Sequence, residues 1–156
     1  MSVMSRILIF GNSGSGKTTM AAALAAEGLA HLDLDVLAWS EPGVRRPIEE
    51  SREAIRAFIH THEAWVIEGC YGDLIEEVVP FAGEVRFLNH GTEACIANCR
   101  ARPWEPHKYA TAEEQDARLE FLLDWVRQYE TRDDEYSLAR HRRIFDEFPG
   151  RKNELR

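Results

Sequence analysis

Residues 11–18 read Gly11-Asn12-Ser13-Gly14-Ser15-Gly16-Lys17-Thr18 and match the pattern G-x-x-x-x-G-K-[ST] in full. The run before this segment, residues 6–10, is rich in Ile and Leu and predicts a buried strand. The run after it, residues 17–27, is dominated by Ala, Leu and Met and predicts a helix that Gly28 ends. A strand, a glycine-rich turn and a helix are the context in which this pattern holds phosphate.

The glycines of this segment allow successive backbone N–H groups to point inward at anionic oxygens. The helix that follows adds its unpaired N–H groups and the positive end of its dipole. We expect Lys17 to reach the β- and γ-phosphates of ATP and the Thr18 hydroxyl to ligate Mg²⁺. A glycine-rich turn without a ligand would explain neither residue. The predicted ATP contacts are Gly11, Asn12, Ser13, Gly14, Ser15, Gly16, Lys17, Thr18 and Thr19.

Strands and helices alternate along the first two thirds of the chain. Short apolar runs predict further strands at residues 29–34, 64–67 and 84–88, with helical patterns between them. This alternation predicts a three-layer α/β/α fold, with helices on both faces of a parallel sheet of four to five strands. The last third is expected to be helical, over residues 112–131 and 135–148, and no fifth strand stands out there.

Composition narrows the classes of function. The 156 residues carry a formal net charge of −8, so we expect a single domain over residues 1–156 and no nucleic-acid partner. No run reaches the ~18 apolar residues of a membrane span. The chain has three cysteines, Cys70, Cys95 and Cys99, and an odd number argues against a disulfide framework. A zinc site would require about four ligands. We therefore expect reduced thiols and a cytoplasmic location.

Three acids follow predicted strands, at the sheet edge where parallel sheets bind ligands. Asp33 and Asp35 end the second strand, and Glu68 ends the third. On an extended segment, residues two apart point the same way, so the two aspartates are expected to act together. One would serve the metal and the other would meet a substrate hydroxyl, with Thr18, Asp33 and Glu68 as candidate metal ligands. The alternative for each acid is a helix cap or a solvated turn.

Cations and aromatic residues are mixed in a proline-bounded segment, residues 100–111. This segment is a candidate lid over the triphosphate, with Arg102 as the phosphate contact, because arginine can neutralise a phosphoryl group in flight. A surface loop packed on the body by its aromatic residues is the alternative. Arg45 and Arg46 either hold an anionic acceptor or are ordinary solvated arginines.

The sequence resembles the small P-loop kinases that include adenylate kinase, shikimate kinase and gluconate kinase. It is similar in particular to the short adenylate-kinase-like bacterial ATPases called topology modulation proteins. The resemblance spans residues 6–102 and is carried by residues 11–18, by Asp33-Leu34-Asp35, by Val66-Ile67-Glu68-Gly69, and by Phe87-Leu88-Asn89 before a helix that ends in arginine.

By this resemblance, Lys17 would bind phosphate and Thr18 would ligate Mg²⁺. Asp33 would be the acid on the metal side, and Asp35 would be the acid that meets the acceptor hydroxyl. Arg102 would be the arginine of the lid. Three departures accompany it: Asn98 stands where such proteins often have an arginine, Glu68 replaces a more usual Asp, and Cys70-Tyr71-Gly72 replaces the Phe-Pro-Arg that seats a monophosphate in adenylate kinases. The last departure weighs against a nucleoside monophosphate as the acceptor.

We therefore expect an enzyme that transfers the γ-phosphoryl group of ATP to a small-molecule acceptor, with Mg²⁺ as cofactor. Its predicted catalytic residues are Lys17, Asp33, Asp35 and Arg102. The alternative is a nucleotide-dependent regulatory ATPase that acts on a partner protein through its long C-terminal helices. The sequence does not identify the acceptor. It does not distinguish ATP from GTP as the nucleotide, or a monomer from a homodimer.

Overall fold

The computed structural model describes residues 5–41 and 43–156. Its strands are β1 (Arg6–Gly11), β2 (Ala30–Asp33), β3 (Trp39–Glu41), β4 (Val44–Arg45), β5 (Trp65–Gly69), β6 (Glu84–Leu88) and β7 (Arg151–Leu155). Five of them form one parallel sheet in the order β2-β5-β1-β6-β7. The short strands β3 and β4 form a separate antiparallel hairpin.

Helices connect the strands of the sheet and cover both of its faces. They are α1 (Lys17–Ala26), α2 (Asp35–Ala38), α3 (Ile48–Thr61), α4 (Gly72–Val78) with a 3₁₀ turn at Val79–Phe81, α5 (Thr92–Ala101), α6 (Ala112–Arg127) and α7 (Leu138–Glu147). The predicted three-layer α/β/α fold, with helices on both faces of a parallel sheet, is confirmed. Within the described part of the chain, no helix is both long and apolar enough to cross a membrane.

The central strands bury both of their faces, which is why their sequences read as continuous apolar runs. Along β1, alternate residues enter two different cores. Leu8 and Phe10 pack into the larger core with residues of α3, α4 and α7, whereas Ile7 and Ile9 pack against α1. Because β1 lies in the middle of the sheet, the loop after it stands at the centre of the carboxyl edge.

The C-terminal third holds one strand that the sequence did not indicate. The predicted helix over residues 135–148 is present as α7, and the helix predicted from residue 112 ends at Arg127. Residues 151–155 then form β7, which pairs with β6 at the edge of the sheet. This strand reads Arg-Lys-Asn-Glu-Leu and is mostly exposed, so it has no apolar pattern to reveal it. The sheet thus has five strands, which agrees with the predicted four to five.

Candidate active site

The loop over residues 11–18 has the backbone that an anion cradle needs. Gly14 and Gly16 have φ angles of 81° and 92°, in the left-handed region that favours glycine. The N–H of Ser15 donates to Asn12 O at 3.2 Å, which closes the loop on itself. In the described chain no side chain caps the start of α1, so the first-turn N–H groups of this helix are left for a ligand.

Helix α5 packs directly against this loop. A Cβ on Gly14 would lie 2.5 Å from Cys95 O and 2.7 Å from Cys99 Sγ, so only glycine fits. Asn98 Nδ2 donates to Gly14 O at 2.8 Å. The asparagine that stands where similar proteins often have an arginine therefore binds the backbone of the loop. Both thiols are free, and burial raises their pKa, so Cys95 and Cys99 are structural residues as predicted.

Lys17 lies folded inside the loop and is 9% exposed. Its Nζ donates to Asn12 O at 2.7 Å and lies 3.5 Å from Ser15 Oγ. Asn12 is itself fixed by a hydrogen bond from its Nδ2 to Val126 O on α6 at 3.2 Å. The ammonium therefore lies inside the loop, held by neutral oxygens in these contacts, and a phosphate oxygen can replace them.

Glu68 stands beside the start of α1 and is 2% exposed. Its Oε2 accepts a hydrogen bond from the Thr18 hydroxyl at 3.1 Å, and its strand pairs with β2 so that Asp33 is its register partner. The predicted metal ligands Thr18, Asp33 and Glu68 are thus brought to one edge. Burial and the charge of Glu68 raise the pKa of Asp33, an effect that a bound cation would reverse.

This donor set fits Mg²⁺, which prefers oxygen ligands and usually keeps one or two protein carboxylates together with phosphates and water. It is not a complete protein cage. Among residues 5–41 and 43–156, no three His, Cys, Asp or Glu side chains converge as a metal site. A magnesium ion here would depend on a bound triphosphate for its remaining ligands.

His31 joins this cluster and was not predicted from the sequence. Its Nε2 lies 2.9 Å from Glu68 Oε2, and this hydrogen bond raises the pKa of His31. The residue lies on β2 two positions before Asp33, so both side chains share one face of the strand. The spacing of His31 and Asp33 was visible in the sequence. The contact of His31 with Glu68 depends on the register between β2 and β5, which the sequence alone does not give.

Asp35 does not lie on an extended segment with Asp33, as the sequence had suggested. Strand β2 ends at Asp33 and the helical turn α2 begins at Asp35. Asp33 Oδ1 accepts a hydrogen bond from the Asp35 N–H at 2.9 Å, so Asp33 also fixes the turn. The turn places Asp35 beside two aromatic residues: its Oδ1 accepts hydrogen bonds from the Tyr71 hydroxyl and from Trp39 Nε1, the latter at 3.4 Å.

Arg45 lies beside Trp39 and Tyr71, and every nitrogen of its guanidinium has a partner. Nη2 lies 3.1 Å from Asp73 Oδ2, Nη1 lies 3.3 Å from Glu135 Oε1, and Nη1 donates to Tyr136 Oη at 2.7 Å. Nε donates to a backbone carbonyl of α2. Arg45 is therefore engaged by acids of the protein itself, whereas the next residue, Arg46, contacts the Trp39 carbonyl oxygen at 3.4 Å.

The candidate lid reaches this side of the site through a residue that was not singled out. Lys108 Nζ lies 3.7 Å from Asp35 Oδ2 and 3.2 Å from Glu105 Oε2. Burial lowers the pKa of Lys108, but the charges of Asp35 and Glu105 outweigh it and raise the pKa. Arg102, the predicted phosphate contact, lies 3.1 Å from Glu105 Oε1, so its ion pair is with its own segment.

Comparison with known proteins agrees with this architecture. Residues 7–67, fewer than half of the chain, match the ATPase family associated with various cellular activities (AAA). No curated protein sequence matches the chain.

Solved structures of kinases share the fold at low sequence identity, each with a TM-score of 0.51. A sugar kinase from Janibacter sp. HTCC2649 is 16% identical, over 98% of this chain and 86% of that one. A gluconokinase from Sinorhizobium meliloti 1021 is 18% identical, over 97% and 82%. Shikimate kinase from Bacteroides thetaiotaomicron is 21% identical, over 92% and 98%. The chain therefore has the P-loop NTPase fold in the form found in small-molecule kinases.

Proposed function

We propose that this protein transfers the γ-phosphoryl group of ATP to a hydroxyl group of a small-molecule acceptor. The observation that carries the proposal is that two carboxylates, those of Glu68 and Asp35, lie in different surroundings. Glu68 faces Thr18 at the start of α1, whereas Asp35 is turned toward the aromatic residues and the lid segment. A hydrolase needs the first arrangement, but a kinase also needs a second, separate site for its acceptor.

The phosphate side would use the glycine-rich loop and the first turn of α1. The amides of residues 14–18 and the Lys17 ammonium would hold the β- and γ-phosphates. Thr18, Asp33 and Glu68 would hold Mg²⁺, which would supply charge neutralisation on the triphosphate. Arg102 would need to exchange Glu105 for a phosphate oxygen to take its predicted role, a change confined to the lid segment.

The acceptor side would use Asp35 as the proton acceptor. Tyr71 and Trp39 occupy its Oδ1, so Oδ2 is the oxygen that can meet an acceptor hydroxyl. Burial keeps the pKa of Tyr71 well above its usual range, so its hydroxyl donates to Asp35 and stays neutral. An acceptor that reaches Oδ2 must displace Lys108, which links acceptor entry to movement of the lid.

The fold comparisons support the proposal, since the three solved structures are described as kinases of sugars, gluconate and shikimate. We also propose a cytoplasmic location, a single domain, a monomer or homodimer, and no nucleic-acid or membrane partner. The test is ADP release from MgATP with and without a panel of hydroxyl compounds. Turnover at least ~10-fold above the water rate with one of them is the expected result.

A second candidate is an ATPase that acts on a protein partner, and the match to the AAA family over residues 7–67 favours it. The same assay separates the two candidates. Slow hydrolysis that no hydroxyl compound accelerates, and that yields inorganic phosphate alone, would contradict the kinase. Phosphate recovered in ester linkage on an acceptor would contradict the ATPase.

A further inference from the structure

Two cations on the acceptor side of the site, Arg45 and Lys108, are each paired with acids of the protein. Arg45 contacts the carboxylates of Asp73 and Glu135, and Lys108 contacts those of Asp35 and Glu105. Each positive charge thus faces two negative ones. A site built to receive a carboxylate or a phosphate would leave an arginine fork open for it, since bidentate pairing with arginine is how proteins hold such groups.

Aromatic rings reinforce this arrangement. The Arg45 guanidinium carbon lies 5.1 Å from the ring centre of Tyr71 and 5.8 Å from those of Trp39 and Tyr136. Cation–π contacts of this kind, added to the two ion pairs, fix the position of the guanidinium against these rings. The Tyr136 hydroxyl oxygen accepts a hydrogen bond from Arg45 Nη1 at 2.7 Å.

We propose that the acceptor is a neutral or amine-bearing polyhydroxyl compound, and neither a carboxylic acid nor a phosphate ester. This inference rests on the proposed kinase function and specifies its substrate class. Entry of the acceptor moves Lys108 from Asp35 Oδ2 and leaves that carboxylate without its cation. A hydroxyl or an ammonium group can replace the lysine there, whereas an anion would face the Asp35 carboxylate while the Arg45 guanidinium stays paired with Asp73 and Glu135.

The reaction balances with ATP as the phosphoryl donor. Asp35 Oδ2 takes the proton of the acceptor hydroxyl, and the hydroxyl oxygen forms a bond to the γ-phosphorus. The bond between the γ-phosphorus and the bridging oxygen to the β-phosphate breaks, and its electron pair leaves with ADP. The products are a phosphate monoester of the acceptor, ADP and one proton.

The experiment measures kcat/KM for ADP release with acceptors that share a skeleton and differ in charge. One series is glucose, glucosamine, gluconate and glucose 6-phosphate, and a second is adenosine and AMP. We expect the neutral or amine member of a productive series to exceed its anionic members by at least ~10-fold. Preference for gluconate, glucose 6-phosphate or AMP would overturn the inference and leave the kinase proposal standing. No phosphoryl transfer to any member would overturn both.

Variants then test whether the occupied arginine sets this preference. Glu135→Gln and Asp73→Asn, singly and together, remove carboxylate partners of Arg45 and free its fork. The preference for neutral over anionic acceptor should fall at least ~5-fold in the double variant and by a smaller factor in each single one. Glu84→Gln removes a carboxylate from the Glu84–Arg86 pair elsewhere on the sheet and should leave the preference unchanged. An unchanged preference in a folded Glu135→Gln or double variant would overturn the role of Arg45.

Discussion

His31 Nε2 lies 2.9 Å from Glu68 Oε2 across the β2–β5 pair. The Thr18 hydroxyl donates to the same oxygen at 3.1 Å, so two donors converge on one buried carboxylate. Glu68 is thereby held at the start of α1 in one orientation. Side chains that orient a metal-ligating carboxylate commonly contribute to the affinity of the metal without contacting it.

Replacement of His31 by Ala is expected to weaken Mg²⁺-dependent binding of ADP by ~10-fold, because Glu68 loses the donor that orients it. His31→Gln, which can retain an N–H donor, should recover most of the affinity. Titration calorimetry of ADP at several Mg²⁺ concentrations measures this, and ADP without Mg²⁺ should bind equally to all variants. His60→Ala, at an exposed position of α3, is the control. Equal Mg²⁺ dependence in His31→Ala and the control would show that the contact is structural only.

The sequence was sufficient to predict the structure where the geometry is local in the chain. The loop of residues 11–18 carries its own geometry, since its glycines, Lys17 and Thr18 are contiguous, and the strand and helix around it are strongly patterned. His31 and Lys108 were not predicted because their roles arise from pairing: one needs the register between β2 and β5, and the other needs the fold of the lid segment.

Two other differences have the same origin. Four of the five residues of β7 are polar, and its strand conformation is stabilised by pairing with β6, a long-range contact with no local signature. The helical turn at Asp35 follows from the hydrogen bond between its N–H and Asp33, which an alternation rule for strands cannot anticipate. Arg45 looked like a free cation because its acids, Asp73 and Glu135, lie far along the chain.

Lys17→Ala is expected to lower kcat by at least ~10²-fold while the protein stays folded, because the ammonium lies inside the predicted phosphate loop, where it would stabilise negative charge on the phosphates. Its present partners are a backbone carbonyl and a hydroxyl, so its loss strands no buried charge. Steady-state ADP release together with thermal unfolding by circular dichroism measures both effects. Lys152→Ala, at the exposed edge strand β7, is the matched control. Near-normal kcat in Lys17→Ala would contradict the assigned role.

Gly14→Ala tests the packing of α5 against the phosphate loop. Gly14 and Gly43 share a φ of 81°, so an added Cβ strains both backbones alike. A Cβ at Gly14 would also meet Cys95 O at 2.5 Å, whereas one at Gly43 meets nothing within 4 Å. We expect Gly14→Ala to lower the free energy of unfolding by about 1–3 kcal/mol more than Gly43→Ala, and to weaken nucleotide binding. If urea denaturation gave equal losses of unfolding free energy for the two variants, α5 would be able to move aside and accommodate the added Cβ.

His141 makes the stability of the fold depend on pH. It is fully buried, its Nδ1 accepts from the Tyr129 hydroxyl at 2.6 Å, and its Nε2–H donates to Cys70 O at 2.9 Å. Burial lowers its pKa from 6.5 to about 4. Between these values the unfolded chain binds a proton that the folded protein does not, so stability falls as pH is lowered through this window.

The decrease attributable to His141 is expected to be about 3 kcal/mol between pH 7 and pH 4. Urea unfolding across this range measures it, and His141→Gln should show a flatter dependence than the unmodified protein even if it is less stable at pH 7. Tyr129→Phe keeps the histidine and should keep the dependence. Parallel curves for His141→Gln and the unmodified protein would assign the acid sensitivity to carboxylates instead.

Asp35→Asn separates the acceptor side from the metal side. The amide keeps the shape of the side chain but cannot take a proton, so kcat is expected to fall ~10²–10⁴-fold while the dissociation constant for MgATP changes by less than ~2-fold. Acceptor turnover and calorimetry with a non-hydrolysable ATP analogue measure the two quantities, and Asp116→Asn on the exposed face of α6 is the control. If Asp35→Asn instead lost MgATP affinity and kept kcat, Asp35 would belong with Asp33 and Glu68 at the metal. The turn that begins α2 argues for the first result, because it directs Asp35 to Tyr71, Trp39 and Lys108 rather than to Thr18.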